Sequence, residues 1–209
     1  MPFGVIKRQN AKCPNCGSLE RHRLQIHFIT QKTPLLSTAS KLLHFAPEHF
    51  FFQLFDGLPH LQYFPVDFHP EKYPPGTHFI DIIHIDFPKD HFDAIICNHV
   101  LEHIPQDEQA IAELYRVLKP GGWAILQVPL DKTRETTYED FSITDPEARE
   151  KAFGQSDHVR VYGRDYKNRL EKAGFVVTID EFAQSFSDAD IQRYGIMKEE
   201  DIYLCRKIG

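Results

Sequence analysis

Cys13 and Cys16 stand in the turn Cys13-Pro14-Asn15-Cys16-Gly17, a C-x-x-C spacing that lets two thiolates approach one metal while Gly17 supplies an unusual backbone conformation. Half a zinc site is therefore legible. Candidates for the other half are His22 and His27 on Leu19–Thr30, a stretch that reads as a helix. Five residues apart, they lie about 500° around it at ~100° per residue, so they share a face poorly. A redox pair and a plain turn entering the helix are the competing readings; the former lacks the usual preceding strand. Next comes Glu20-Arg21-His22-Arg23. A guanidinium binds carboxylate or phosphate in a bidentate way, so Arg21 or Arg23 could hold an acidic group if this helix crosses the mouth of a site. A solvent-facing charge cluster is the alternative. Further along, His99, His103 and His158 have an unperturbed pKa of about 6.5, suited to a base or orienting group near neutrality. The sequence singles out none of the three. His158 and Arg160 alternate about Val159, which turns both to one side of an extended segment. With Tyr162 they are candidate substrate contacts or, equally, a structural network.

The elements that must position these groups centre on residues 92–129, FDAIICNHVLEHIPQDEQAIAELYRVLKPGGWAILQVP. Ala94-Ile95-Ile96-Cys97 is a short apolar run of the kind that forms a buried strand. Asn98–His103 is a loop at its carboxyl end, where ligands sit in an open parallel sheet. Pro105 fits the first turn of a helix in which Ile111, Leu114, Tyr115 and Leu118 repeat at helical spacing. Lys119-Pro120-Gly121-Gly122 is expected to end that helix, and Trp123–Val128 to return as a strand by a right-handed crossover.

Phe92-Asp93, Leu101-Glu102-His103 and the string Glu113-Leu114-Tyr115-Arg116-Val117-Leu118-Lys119-Pro120-Gly121-Gly122 together resemble the class I S-adenosylmethionine-dependent methyltransferases, in particular their type 11-like group. The resemblance implies an α/β, Rossmann-like seven-stranded sheet, mostly parallel with one antiparallel strand and helices on both faces. It implies S-adenosylmethionine as cofactor and in-line transfer of its methyl group, for which alignment and at most one base suffice. It also assigns positions. Asp67, ending the strand Leu61–Val66, matches the acid that hydrogen-bonds both ribose hydroxyls. Asp81-Ile82, after the short strand His78–Ile80, matches the adenine-contacting acid and its neighbouring amide, with His84 and Asp86 as competitors. Ala46-Pro47-Glu48, after the strand Lys41–Phe45, stands where relatives have a glycine-rich turn. That departure leaves two readings: the turn still cradles the cofactor, with Glu48 on its amino group, or affinity is reduced or lost. Asn98, ending the organising strand, completes the cofactor set.

Around this core the chain divides into a basic segment 1–40, with its zinc-knuckle candidate (Cys13, Cys16, His22), and a methyltransferase domain 41–209, within which 130–163 is expected to form a substrate lid. Thr144-Asp145-Pro146 signals the start of a short helix closed by Gly154. Residues 164–173 read as another, and 175–181 and 201–207 as the last strands.

Composition limits the partners. Net charge is −6 over 209 residues, yet residues 1–32 carry +5, leaving −11 on the rest. That balance argues against broad nucleic-acid binding; the basic segment could face an anionic substrate, with a small molecule preferred, or equally be a solvated basic face. No apolar run reaches the roughly 18 residues of a membrane span, and no signal peptide is evident. Four cysteines without a secretory signal make a cytoplasmic protein without disulfides the expectation. The sequence sets no oligomeric state. Two further readings stay open: an RNA methyltransferase that uses the C-x-x-C segment as reader, and a non-catalytic cofactor- or partner-binding module.

Overall fold

Ala94, Ile95, Ile96 and Cys97 are each at most 1% exposed, because their strand is covered on both faces. A computed structural model describes residues 1–2 and 8–209; Lys7 of the basic segment lies outside them. In chain order the elements are α1 (Glu20–Lys32), β1 (Ser40–Phe45), α2 (His49–Asp56), β2 (Leu61–Asp67), β3 (His78–Phe79), β4 (Phe92–Asn98), α3 (Asp107–Val117) and β5 (Leu118–Gln127), followed by β6 (Tyr138–Glu139), α4 (Pro146–Phe153), β7 (Arg160–Val161), α5 (Tyr166–Lys172), β8 (Val176–Asp180), α6 (Asp188–Tyr194) and β9 (Ile202–Arg206).

Seven strands form one sheet in the order β3-β2-β1-β4-β5-β9-β8. All neighbours run parallel except β9, which is antiparallel to β5 and to β8, so the single reversed strand is the last. Alternation along each strand divides the core into two layers. Leu43, Ile95, Cys97 and Leu126 face α3 and α5 through Ile111, Leu114 and Leu170. Leu42, Ile96 and Ile125 face α1 and α2 through Leu24, Phe28, Phe51 and Phe55. Helix α1, of the basic N-terminal segment, is thus one wall of the core.

Three local expectations are corrected. Pro105 lies outside α3, which starts at Asp107 after Gln106; Leu101–His103 forms a 3-10 turn before it. Lys119–Gly122 does not end the helix but belongs to β5, where pairing slips from Phe92↔Leu118 to Ala94↔Trp123. The bulge is held by Asp93, which accepts from Lys41 N–H at 2.8 Å and from Lys119 Nζ at 2.6 Å. Within the expected lid, residues 130–157 show no strand pattern in the sequence, yet they contain β6, paired with β7. Helix α4 is as expected: Asp145 Oδ1 accepts from Ala148 N–H, and Gly154 takes a φ of +89°. Helix α6, capped by Ser187 and closed by Gly195 at φ +59°, had no counterpart in the reading. Among the described residues no helix is long and apolar enough to cross a membrane.

Candidate active site

At the carboxyl ends of β1, β2 and β4 lies a cavity of about 480 Å³, lined among others by Ala46, Asp67, Tyr73, Asp81, Ile82 and His99. Its floor is the turn after β1. Ala46 has a φ of +51°, a left-handed conformation that costs a non-glycine residue on the order of 1–2 kcal/mol. The backbone therefore keeps the shape a glycine would give, with only a methyl group added. Asp67 ends β2 with Oδ1 accepting from His69 N–H at 2.7 Å. Tyr73 lies beside it, its phenol pushed up to about 12 by burial and by the Asp67 carboxylate. Asp81 Oδ1 accepts from Ile83 N–H at 3.1 Å, and buried Ile82 gives the cavity an apolar patch. His84 and Asp86 are exposed and absent from its lining.

Two residues expected in the cofactor set are committed elsewhere. Asn98 is 2% exposed and exchanges two 3.0 Å hydrogen bonds with the Gln25 amide; its Nδ2 also donates to Glu48 at 3.3 Å. Glu48 turns away from the cavity to His44 Nε2 at 3.1 Å and His22 Nε2 at 3.3 Å. Burial pushes its carboxyl up, but the His22 and His44 hydrogen bonds outweigh this and hold it well below the usual carboxylate range. These residues tie α1, β1, α2 and β4 together beneath the site.

A second cavity, of about 720 Å³, adjoins the first. His99 and His103 line both. Its other walls include Arg21 and Glu20 of α1, Glu150 of α4, His158 and Glu200, so residues of the segment expected to be a lid line it. His99 sits at φ +54°, with Nδ1 3.4 Å from Glu102 Oε1. His103 Nδ1 lies 3.4 Å from Asp157 Oδ2. His158 is 4% exposed, and burial lowers its pKa. Arg8 is spent on Glu20 at 3.0 Å, whereas the Arg21 Nε is buried without a partner. Glu200 is pushed up by burial, against the opposing charges of His99 and Arg21.

Three of the four expected substrate contacts do not face this space. Arg23 donates to the carbonyls of Ser18, Asn10, Ala11, Tyr194 and Gly195, fastening the N-terminal turn to α6. Arg160, 1% exposed, donates to Glu139 at 2.9 Å and to the carbonyls of Leu101, Ile104 and Pro105. Tyr162 is fully buried, with its hydroxyl on Asp107 Oδ2 at 2.7 Å. The structural network weighed for Arg160 is the observed arrangement.

The expected zinc trio is likewise not assembled. His22 accepts from Leu19 N–H at Nδ1 and faces Glu48 with Nε2, which leaves no nitrogen for Cys13 and Cys16. Cys13 and Cys16 form a compact turn in which backbone N–H groups of Cys16 and Asn15 lower the Cys13 pKa. Among the described residues the donors close enough to share a metal are Glu102, His103 and His158, whose ligand atoms lie within 4.8 Å of one another. Glu102 belongs to the quoted Leu-Glu-His string but was given no role.

The sequence profile described as the methyltransferase domain matches residues 37–179, most of the sheet, the first cavity's lining and part of the second's. The chain belongs to this family. Within 106 residues it is 31% identical to the sterol 24-C-methyltransferase of Eremothecium gossypii, a match over 48% of this chain and 26% of the relative. It therefore spans about a quarter of that curated relative's length. Among solved structures, it superposes on a chain of the complex between the Haloferax volcanii Trm112 methyltransferase activator and the putative methyltransferase with a TM-score of 0.61, at 15% identity over 90% of this chain and 91% of that one. An S-adenosylmethionine-dependent methyltransferase from Mesorhizobium loti gives 0.58 at 16% identity, over 88% and 98%. At such identities the likeness establishes the methyltransferase fold alone.

Proposed function

We propose that this methyltransferase domain moves the methyl group of S-adenosylmethionine to a nucleophilic N, O or S atom of a small anionic molecule. The observation that carries the reading is the pair of adjoining cavities with His99 and His103 as their common wall. Ala46, Asp67, Asp81 and Ile82 would hold the cofactor. Asp67 has one oxygen anchored by His69 N–H and can offer the other to the ribose hydroxyls; Ile82 gives the adenine an apolar surface. When bound, the cofactor supplies a sulfonium-activated methyl group. The acceptor would lie in the second cavity, where the Arg21 guanidinium, unlike those of Arg23 and Arg160, has an unpaired buried nitrogen to offer a carboxylate or phosphate. His99 or His103 would orient the acceptor or take its proton, since both reach the junction. The glycine-like backbone at Ala46 favours an enzyme over a non-catalytic module.

Calorimetric titration with S-adenosylmethionine tests the first half. Asp67→Ala should weaken binding at least roughly tenfold, about 1.4 kcal/mol, and failure of the folded wild type to bind at millimolar cofactor would return the module reading. For the second half, turnover is measured on a panel of anionic and neutral acceptors. Arg21→Lys keeps the charge but loses the planar fork, so it should depress turnover of the anionic acceptor with cofactor affinity intact. Preference for neutral acceptors would overturn the anionic assignment.

A further inference from the structure

Glu102 and His158 are 1% and 4% exposed, yet Glu102 Oε2 and His158 Nε2 have no hydrogen-bond partner among the described residues. Buried polar atoms are rarely left so. Both line the second cavity beside His103, and the ligand atoms of all three residues lie within 4.8 Å of one another. The surroundings fix these side chains. Glu102 has its other oxygen 3.4 Å from His99 Nδ1, and its carbonyl accepts from Val159 N–H at 2.9 Å, which pins the His158 segment against the turn. His103 and His158 meet edge to face, with ring centroids 4.7 Å apart. Asp157 lies 3.4 Å from His103 Nδ1, the kind of carboxylate that orients a metal-bound imidazole from its far nitrogen.

We propose that Glu102, His103 and His158 form a binding site for a divalent first-row transition metal, open toward the second cavity. Two imidazoles and one carboxylate suit Zn²⁺, Mn²⁺, Fe²⁺ or Co²⁺, and they leave coordination positions free. Binding would draw the donors from their present spread to roughly 3–3.5 Å apart, as metal–ligand bonds of about 2.0–2.2 Å require. That closure is small for side chains on a turn and a lid segment. The donor set contains no sulfur and is separate from the Cys13–Cys16 turn. The open positions would take an oxygen donor of the acceptor, a hydroxyl or carboxylate; this clause rests on the methyl-transfer reading, whereas metal uptake does not.

The test uses the full chain, stripped with a chelator and titrated with Zn²⁺, Mn²⁺ and Co²⁺. One equivalent should bind with a dissociation constant in the micromolar range or below. Glu102→Gln and His158→Gln should each weaken it at least about tenfold, the low end of what loss of an outer partner alone does, and a Cys13→Ser, Cys16→Ser double variant should bind normally. X-ray absorption on zinc-loaded wild type should show nitrogen and oxygen at about 2.0–2.2 Å and no sulfur near 2.3 Å; this reading decides the matter should the variants misfold. Absence of stoichiometric uptake, a sulfur shell, or equal affinity in the folded Glu102 and His158 variants would overturn the site. Oxalate added to the Co²⁺ form should shift its visible bands. Unchanged bands would overturn the acceptor clause only.

Discussion

Replacing Glu48 with Ala should destabilise the fold by about 3–4 kcal/mol, although the side chain retains 17% exposure. The carboxylate accepts from His44 Nε2 at 3.1 Å and Asn98 Nδ2 at 3.3 Å, and His22 Nε2 adds a third polar contact at 3.3 Å. Tautomers follow from the network. Burial and the Glu48 charge keep the Tyr63 phenol protonated, so it can donate to His44 Nδ1 at 2.9 Å, and Leu19 N–H donates to His22 Nδ1 at 3.2 Å. His44 then presents Nε2–H to Glu48 in a hydrogen bond, whereas His22 Nε2 stands 3.3 Å from the carboxylate as a close charge contact outside hydrogen-bond geometry. Their side chains are 0% and 6% exposed, and leaving a buried donor unmatched costs about 1–3 kcal/mol. Asn98 retains its Gln25 partner, and water entering the gap softens the loss, hence the value of ~3–4 kcal/mol rather than the full sum of three. For a chain of this size that is a fall in Tm of roughly 10 °C. Glu48→Gln, which keeps one acceptor oxygen, should cost about half as much. Urea denaturation checks both, and it also checks the pH dependence. Because the folded-state pKa of Glu48 lies below the unfolded value of about 4.3, its contribution is complete above that value and is lost as pH falls toward the folded pKa. The stability gap between wild type and Glu48→Gln should therefore be constant from pH 7 to about 5.5 and narrow below about 4. A loss under about 1 kcal/mol for Glu48→Ala, or a gap that does not narrow in acid, would refute the account of this network.

Arg160→Lys should cost about 2–4 kcal/mol in urea denaturation, since one ammonium cannot serve Glu139 and the carbonyls of Leu101, Ile104 and Pro105 together. Gly174 has a φ of +111°, and an added Cβ would lie 2.8 Å from the Tyr115 ring; at Gly121, φ +79°, it would meet nothing within 4 Å. Gly121→Ala should then cost about 1 kcal/mol and Gly174→Ala at least twice that, read as shifts in the urea midpoint.

Asp67 and Asp81 were legible because their placement depends on local order: an acid directly after an apolar strand stands at that strand's carboxyl end wherever the strand sits in the sheet. Asn98 meets the same condition but is buried beneath the cavity, because its amide partner is Gln25, seventy-three positions away on α1. Strand-end placement does not specify which way a side chain turns. The Lys119–Gly122 string shows a similar limit. Gly122 serves close packing in a bulge, where a Cβ would lie 2.8 Å from Leu118 and Lys119, and Gly121 serves a φ of +79°; a helix stop carries the same letters. The zinc trio failed because His22 had nearer partners in Leu19 and Glu48. The short α6 carries no apolar periodicity and is fixed by the Arg23 contacts to Tyr194 and Gly195.

The arginines show why charge alone misassigned the substrate contacts. The turn Leu101–Pro105 must leave the sheet directly at the wall between the two cavities, and its carbonyls have no helix or strand to receive them. A buried group with several donors in a fixed fork can satisfy such carbonyls at once, and Arg160 supplies it from β7. Val159 N–H adds a bond to the Glu102 carbonyl, so the segment lining the second cavity is tied to the turn that carries His103 by backbone as well as side-chain bonds. Glu139 and Asp107 balance the buried charge, with Arg169 shared between them. The positive charge in β7 is consumed in holding the wall, and Arg21 is left as the arginine of the expected set with donor capacity facing the acceptor space. In the proposed reading the arginine that holds the anion is the one whose guanidinium lacks a partner, a property set by distant backbone carbonyls rather than by neighbours in the chain.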